Sequence, residues 1–178
     1  SVIPAKPETN PKIRLSGFTF NFGTTSYGIY YSNPSSIYDC TNVRLDHLEI
    51  SMSTYVFQRN GLAHGVMDNC IIKGRFGSGG SASLWTTNGF AHGTASNFYF
   101  EDNVWEPYLD SKSFVSDGSG ATRWAFRYNN ISYGNIGAGV IFEQHGNHRC
   151  TQPGGFGAEV YGNNITSSNP ISFGLFDQ

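Results

Sequence analysis

Two stretches, Trp124-Ala-Phe-Arg-Tyr-Asn-Asn-Ile131 and Ala158-Glu-Val-Tyr-Gly-Asn-Asn-Ile165, carry apolar and amide residues at one shared spacing. Four further segments align with them without gaps over eight positions: Ile13 to Phe20, Val43 to Ile50, Gly65 to Ile72 and Phe98 to Trp105. Position three is always apolar (Leu15, Leu45, Met67, Phe100, Phe126, Val160), and so is position eight (Phe20, Ile50, Ile72, Trp105, Ile131, Ile165). Position six changes from Phe18, Leu48 and Cys70 to Asn103, Asn129 and Asn163. Successive units start 30, 22, 33, 26 and 34 residues apart, which suits one structural repeat with loops of varying length.

The spacing has a direct physical reading. Side chains alternate along a strand, so positions one and three share one face and point inward. Position six falls at a corner, where Asn tolerates left-handed backbone better than other non-glycine residues. In-register stacking would let Asn103, Asn129 and Asn163 bond to one another. Position eight returns inward on the next strand. A protein of simple hairpins would show turn signals every 8–12 residues and no period this long.

A second register follows the first at Tyr55 to Asn60, Ser83 to Asn88, Phe114 to Asp117 and Val140 to His145. Asn60-Gly-Leu-Ala-His-Gly65 recurs as Asn88-Gly-Phe-Ala-His-Gly93, 28 residues later with five of six residues identical. These segments predict another strand in each repeat, with Asn60, Asn88, Asp117 and His145 in one row.

The pattern apolar–x–apolar–x–x–Asn–x–apolar resembles the repeat of the right-handed parallel β-helix, or pectate-lyase-like, superfamily over roughly residues 13–177. The run from Phe114 to Ile131, then Glu143-Gln-His-Gly-Asn-His-Arg149 and Ala158 to Ile165, is similar to uncharacterised bacterial and environmental β-helix proteins. The resemblance implies an all-β solenoid of about six coils over residues 13–178, with residues 1–12 as a lead-in or the remnant of a preceding coil. The superfamily includes polysaccharide lyases, glycoside hydrolases, phage tailspikes and adhesins, so the fold does not choose among them. The repeat begins by residue 13 and reaches Phe176 without an amphipathic cap helix. A solenoid core needs covering at its ends. One or both caps are therefore expected to be missing, with the chain a segment of something longer or self-associating through open ends.

Composition agrees with many short strands. Charged residues are 13% of the chain, about half the usual share, while Gly numbers 22 and Phe with Tyr number 24. The formal net charge of −2 shows no basic footprint for nucleic acid. No apolar run reaches the roughly 20 residues needed to span a bilayer as a helix, and the opening Ser1-Val2-Ile3-Pro4 lacks the form of a signal peptide. Cys70 sits at an inward position and reads as a buried free thiol. A Cys40–Cys150 disulfide is open, and no cysteine–histidine spacing suggests zinc.

Equivalent residues of successive repeats stand about 4.8 Å apart in a parallel sheet, so each column is a row in space. Position four points outward and reads Ser16, Asp46, Asp68, Glu101, Arg127, Tyr161; position two on the same face reads Arg14, Arg44, Val66, Tyr99, Ala125, Glu159. Stacked acids raise one another's proton affinity unless arginines such as Arg44 and Arg127 relieve them. Such a face could bind a hard cation such as Ca²⁺, or supply a carboxyl pair for glycoside cleavage, or be a solvated polar surface. Arg44, Asp46, Asp68, Tyr99, Glu101, Arg127, Glu159 and Tyr161 are the candidate substrate-binding residues. The other cluster is Asp117, Arg123 and His145, with His64 and His92 nearby in Ala-His-Gly turns. There an imidazole base, an orienting carboxylate and an arginine for an acidic sugar would suit proton abstraction, while a plain turn capped by histidines is the bland alternative. With Tyr30, Tyr31, Trp85, Tyr99 and Tyr161 available to stack on sugars, the expectation is a carbohydrate-active module at a cell or virion surface or outside the cell. It would be a lyase or hydrolase with polysaccharide as partner, or else a structural or adhesive filament.

Overall fold

The computed structural model describes residues 2–4, 12–23, 27–32, 40–52, 55–60, 63–74, 76–80, 97–107, 112–118, 123–134, 140–145 and 157–170. These residues are all-β, with eighteen strands and no helix. The first sheet contains β1 (Val2–Pro4), β4 (Tyr27–Ser32), β7 (Tyr55–Asn60), β10 (Phe76–Gly80), β13 (Lys112–Gly118) and β16 (Val140–His145). The second holds β2 (Lys12–Ser16), β5 (Cys40–Asp46), β8 (Ala63–Asp68), β11 (Phe98–Glu101), β14 (Arg123–Arg127) and β17 (Gly157–Tyr161). The third holds β3 (Thr19–Gly23), β6 (Glu49–Met52), β9 (Ile71–Gly74), β12 (Val104–Glu106), β15 (Asn130–Ser132) and β18 (Asn164–Thr166). Every strand pairs in parallel with the strand three elements away in sequence.

The aligned units cross from the second sheet to the third. Leu45 pairs with Met67, Met67 with Phe100 and Phe100 with Phe126, all buried. Ile50, Ile72, Trp105 and Ile131 line up likewise in the third sheet, also buried. The Trp105 and Phe126 ring centroids lie 5.1 Å apart, joining the two walls into one core.

The corner is built differently from the sequence expectation. Position five, one residue before the amides, carries the left-handed backbone in all six units: Gly17, His47, Asn69, Asp102, Tyr128 and Gly162, with φ between 53° and 75°. That kink turns position six inward, so Asn103 and Asn129 are fully buried side chains rather than turn-formers. Buried amides need partners. Each Oδ1 accepts the backbone N–H of the preceding repeat: Cys70 to Asn103 at 2.9 Å, Asn103 to Asn129 at 3.0 Å and Asn129 to Asn163 at 2.9 Å. Each Nδ2 donates to a carbonyl, of Met67, Phe100 and Phe126 respectively, at 2.9 Å. Cys70 closes the column with its thiol against the carbonyls of Asp68 and Leu45, and burial pushes its pKa up to about 12.

Two further expectations are corrected. The Ser83 to Asn88 segment lies outside the described residues, and the described strand between β7 and β13 in the first sheet is Phe76–Gly80, which the sequence did not suggest. Its backbone lies between β7 and β13, so ladder bonds outweigh the poor strand propensity of Phe-Gly-Ser-Gly-Gly. Asp117 therefore pairs with Gly79, which pairs with Gln58; Asn60 stands outside that row, and Asn88 lies outside the described residues. Likewise Ala63-His64-Gly65 belongs to strand β8 rather than to a turn. Gly65 is there because β5 comes close: a Cβ would lie 2.1 Å from the carbonyl oxygen of Val43.

Candidate ligand-binding face

The outer face of the second sheet brings the predicted binding residues together. Position four forms the continuous row Ser16, Asp46, Asp68, Glu101, Arg127, Tyr161, and position two runs beside it. Although the row points away from the core, Asp46 has no exposed surface and Asp68 only 6%. Arginines cover them. Arg14 grips Asp46 with Nε at 2.8 Å and a terminal nitrogen at 2.7 Å, and Arg44 grips Asp68 at 3.1 and 2.7 Å. A position-two arginine thus serves the position-four acid of the following repeat. Farther along, Arg127 reaches within its own column to Glu101, with Nε at 2.6 Å.

This pairing sets the electrostatics. Asp46 also accepts from Ser16 at 3.0 Å and lies 2.8 Å from His47 Nδ1. The Arg14 hydrogen bonds, aided by those from His47 and Ser16, outweigh burial and hold Asp46 well below the usual carboxylate range. The relief by arginine that the sequence allowed for thus operates at Asp46, chiefly through Arg14, and keeps its carboxyl ionised. At Arg127, burial alone would favour deprotonation, but Tyr161 and Glu101 together raise its pKa. Among the described residues no group of three or more His, Cys, Asp or Glu is arranged to hold a metal ion.

Aromatic residues gather at the far end of the row. The Arg127 guanidinium lies 4.2 Å from the centroid of the Tyr99 ring and donates to the Tyr161 hydroxyl at 2.7 Å. Tyr128 meets Tyr161 edge-on, with centroids 5.5 Å apart and planes at 88°. Behind them, Asn97 donates to the buried Glu159 at 2.6 Å. Desolvation, with Glu159 nearby, raises the Tyr99 pKa. The sequence reading missed His47, Asn97 and Tyr128 as members of this face. His47 and Tyr128 share position five, where no common residue chemistry marks the left-handed backbone in the sequence.

The second candidate cluster is only partly joined. Asp117 and His145 are register partners on β13 and β16, so their backbones are adjacent. Arg123 opens β14 in another sheet, paired with Gly157. The side chains of all three lie outside the described part of the molecule, as do those of Tyr30, Tyr31 and Cys40; Trp85, His92 and Cys150 lie outside the described residues altogether. No family model, curated protein or solved structure matches the chain.

Proposed function

We propose that the chain is a right-handed parallel β-helix of six coils that acts on carbohydrate, at a cell or virion surface or outside the cell. The fold reading rests on three all-parallel sheets visited in strict rotation, since crossovers between parallel strands are almost always right-handed. The functional reading rests on one observation: the cluster of Tyr99, Arg127, Tyr128 and Tyr161 on the outer face. Aromatic faces stack on sugar rings while the guanidinium and hydroxyl fix orientation. Catalysis, in this reading, belongs to the Asp117–His145 row with Arg123, and polysaccharide lyase or glycoside hydrolase action is the reaction class. A screen of acidic and neutral polysaccharides, with and without Ca²⁺, tests it. New double bonds or new reducing ends support an enzyme.

A second reading has its own observation. Asp46, Asp68 and Glu101 are each held by an arginine, so the second sheet presents stabilising ion pairs rather than a poised acid. That favours a structural or adhesive β-helix that binds glycan without cutting it. Retention on a polysaccharide column with no cleavage product would support this reading over the first.

A further inference from the structure

We infer that Tyr128 and Tyr161, braced by Arg127, form a stacking subsite for an uncharged sugar unit. The inference deepens the carbohydrate reading and depends on it.

Tyr128 is in an expensive position. Its φ of 56° is left-handed, a conformation that costs a residue with a Cβ about 1–2 kcal/mol. The equivalent position is Gly17, His47, Asn69, Asp102 or Gly162 in the other units, so the corner does not demand a tyrosine, and Tyr128 is the one phenol ring among them. The side chain does not recover the cost by burial, because Tyr128 is 52% exposed and its neighbour Tyr161 is 38% exposed. Backbone strain spent on holding an aromatic ring in solvent is a mark of a binding site.

The rings are also fixed in advance. A Cβ on Gly162 would fall 2.6 Å from Cδ1 of Tyr128, so this ring lies directly on the glycine backbone. Its edge contact with Tyr161 and the Arg127 bond to the Tyr161 hydroxyl hold the pair together. Rigid amphipathic rings lose little freedom when a ligand stacks on them.

Charge selects the kind of sugar. One guanidinium, Arg127, is paired with the carboxylate of Glu101, and a second carboxyl group, the buried Glu159, acts on Tyr99. Three of the five N–H donors of Arg127 go to Glu101 and Tyr161, its face lies on Tyr99, and its charge is matched by that of Glu101. Both contacts from Arg127 to Glu101 end on Oε2, and Oε1 accepts no hydrogen bond from the described residues. That atom can accept a sugar hydroxyl, and it would repel a uronate carboxylate. A neutral pyranose offers both the C–H face and the hydroxyl.

The test is calorimetric titration of the chain with cellohexaose, xylohexaose and mannohexaose, against hexagalacturonate and hexamannuronate. Binding of at least one neutral oligomer is expected. Tyr128→Ala and Tyr161→Ala should each weaken it roughly tenfold, while Tyr128→Trp should retain it. Far-UV circular dichroism of each variant guards against a loss that merely reflects unfolding, and Tyr161→Phe, which keeps the ring, should bind within a few-fold of the parent. Neutral binding unchanged in both alanine variants overturns the subsite. Acidic binding that depends on Tyr128 overturns the charge selection yet leaves the carbohydrate reading standing. No response to any of the five oligomers overturns both.

Discussion

The side-chain oxygen of Asn129 accepts two hydrogen bonds from Asn103, one from its backbone N–H at 3.0 Å and one from its amide at 3.1 Å. Asn129 in turn donates to the carbonyl of Phe100 and to Oδ1 of Asn163. One amide thus ties together three successive repeats. An unsatisfied buried polar group costs about 1–3 kcal/mol, so Asn129→Ala, which takes the acceptor from two donors of Asn103, should cost about 2 kcal/mol or more. Urea denaturation followed by tryptophan fluorescence measures it. Asn163→Ala should cost less, because its half-buried site admits water to the groups left behind.

Phe100 and Phe126 sit at the centre of the apolar wall, each 1% exposed. Truncating either to alanine removes a ring from a close-packed row, and about 3–5 kcal/mol should be lost. Phe126→Leu should cost much less, since it fills most of the space and keeps contact with Trp105. A small loss in Phe126→Ala would contradict the continuous core.

Asp46 makes acid stability predictable in sign. Its folded pKa is depressed by Arg14, His47 and Ser16, while an unfolded aspartate titrates near about 3.9. Below that value the unfolded chain binds a proton that the folded chain refuses. The stabilisation is therefore complete above about pH 4 and declines as the pH falls toward the folded value. Urea midpoints between pH 7 and pH 2 should drop steeply below about pH 4 in the parent and less steeply in Asp46→Asn. Equal slopes would show that the Arg14–Asp46 pair contributes nothing to acid stability.

Glycine and the left-handed corner provide a paired test. Gly65→Ala would press a methyl group against the backbone of Val43 and should cost about 3 kcal/mol or more, because a carbonyl in a sheet cannot move aside. Asp102, exposed at the corner with φ of 55°, is the reverse case. Asp102→Gly should raise stability by up to about 1 kcal/mol and Asp102→Val should lower it, since β-branching tolerates left-handed backbone worst. Thermal unfolding of the variants reads both signs.

What the sequence disclosed follows from which forces leave a periodic trace. The inward columns of Leu45, Met67, Phe100 and Phe126 and of Ile50, Ile72, Trp105 and Ile131 were legible because burial must recur at every repeat. The amide stack was legible for the same reason. The left-handed position was misplaced by one residue, since Gly, His, Asn, Asp and Tyr at position five share no chemistry and are united only by backbone geometry. Strand β10 was missed because Phe76–Gly80 is held by its neighbours rather than by its own preference. On the outer face the right residues were named and relief of the acids by arginine was foreseen, but which arginine serves Asp46 and which serves Asp68 was not. Their arginines come from position two of the preceding repeat, a contact that links different columns and different repeats.

The Asp117–His145 pairing supports the most demanding prediction. Register partners on adjacent parallel strands stand about 4.8 Å apart at the backbone, close enough for a carboxylate to orient an imidazole. In the proposed reading a histidine oriented by that carboxylate would take a proton from a carbon acid or from water near neutral pH. If a polysaccharide is cleaved, His145→Ala should abolish new double bonds or reducing ends while leaving the denaturation midpoint nearly unchanged. Asp117→Asn should lower kcat more than it raises KM, because orientation and charge at the imidazole are felt in the transition state. Arg123 stands in the neighbouring sheet, paired with Gly157 rather than with this row. Its proposed task is to hold substrate, so Arg123→Ala should chiefly raise KM for an acidic polymer. Full activity in His145→Ala, or an identical kinetic defect in all three variants, would refute this division of labour.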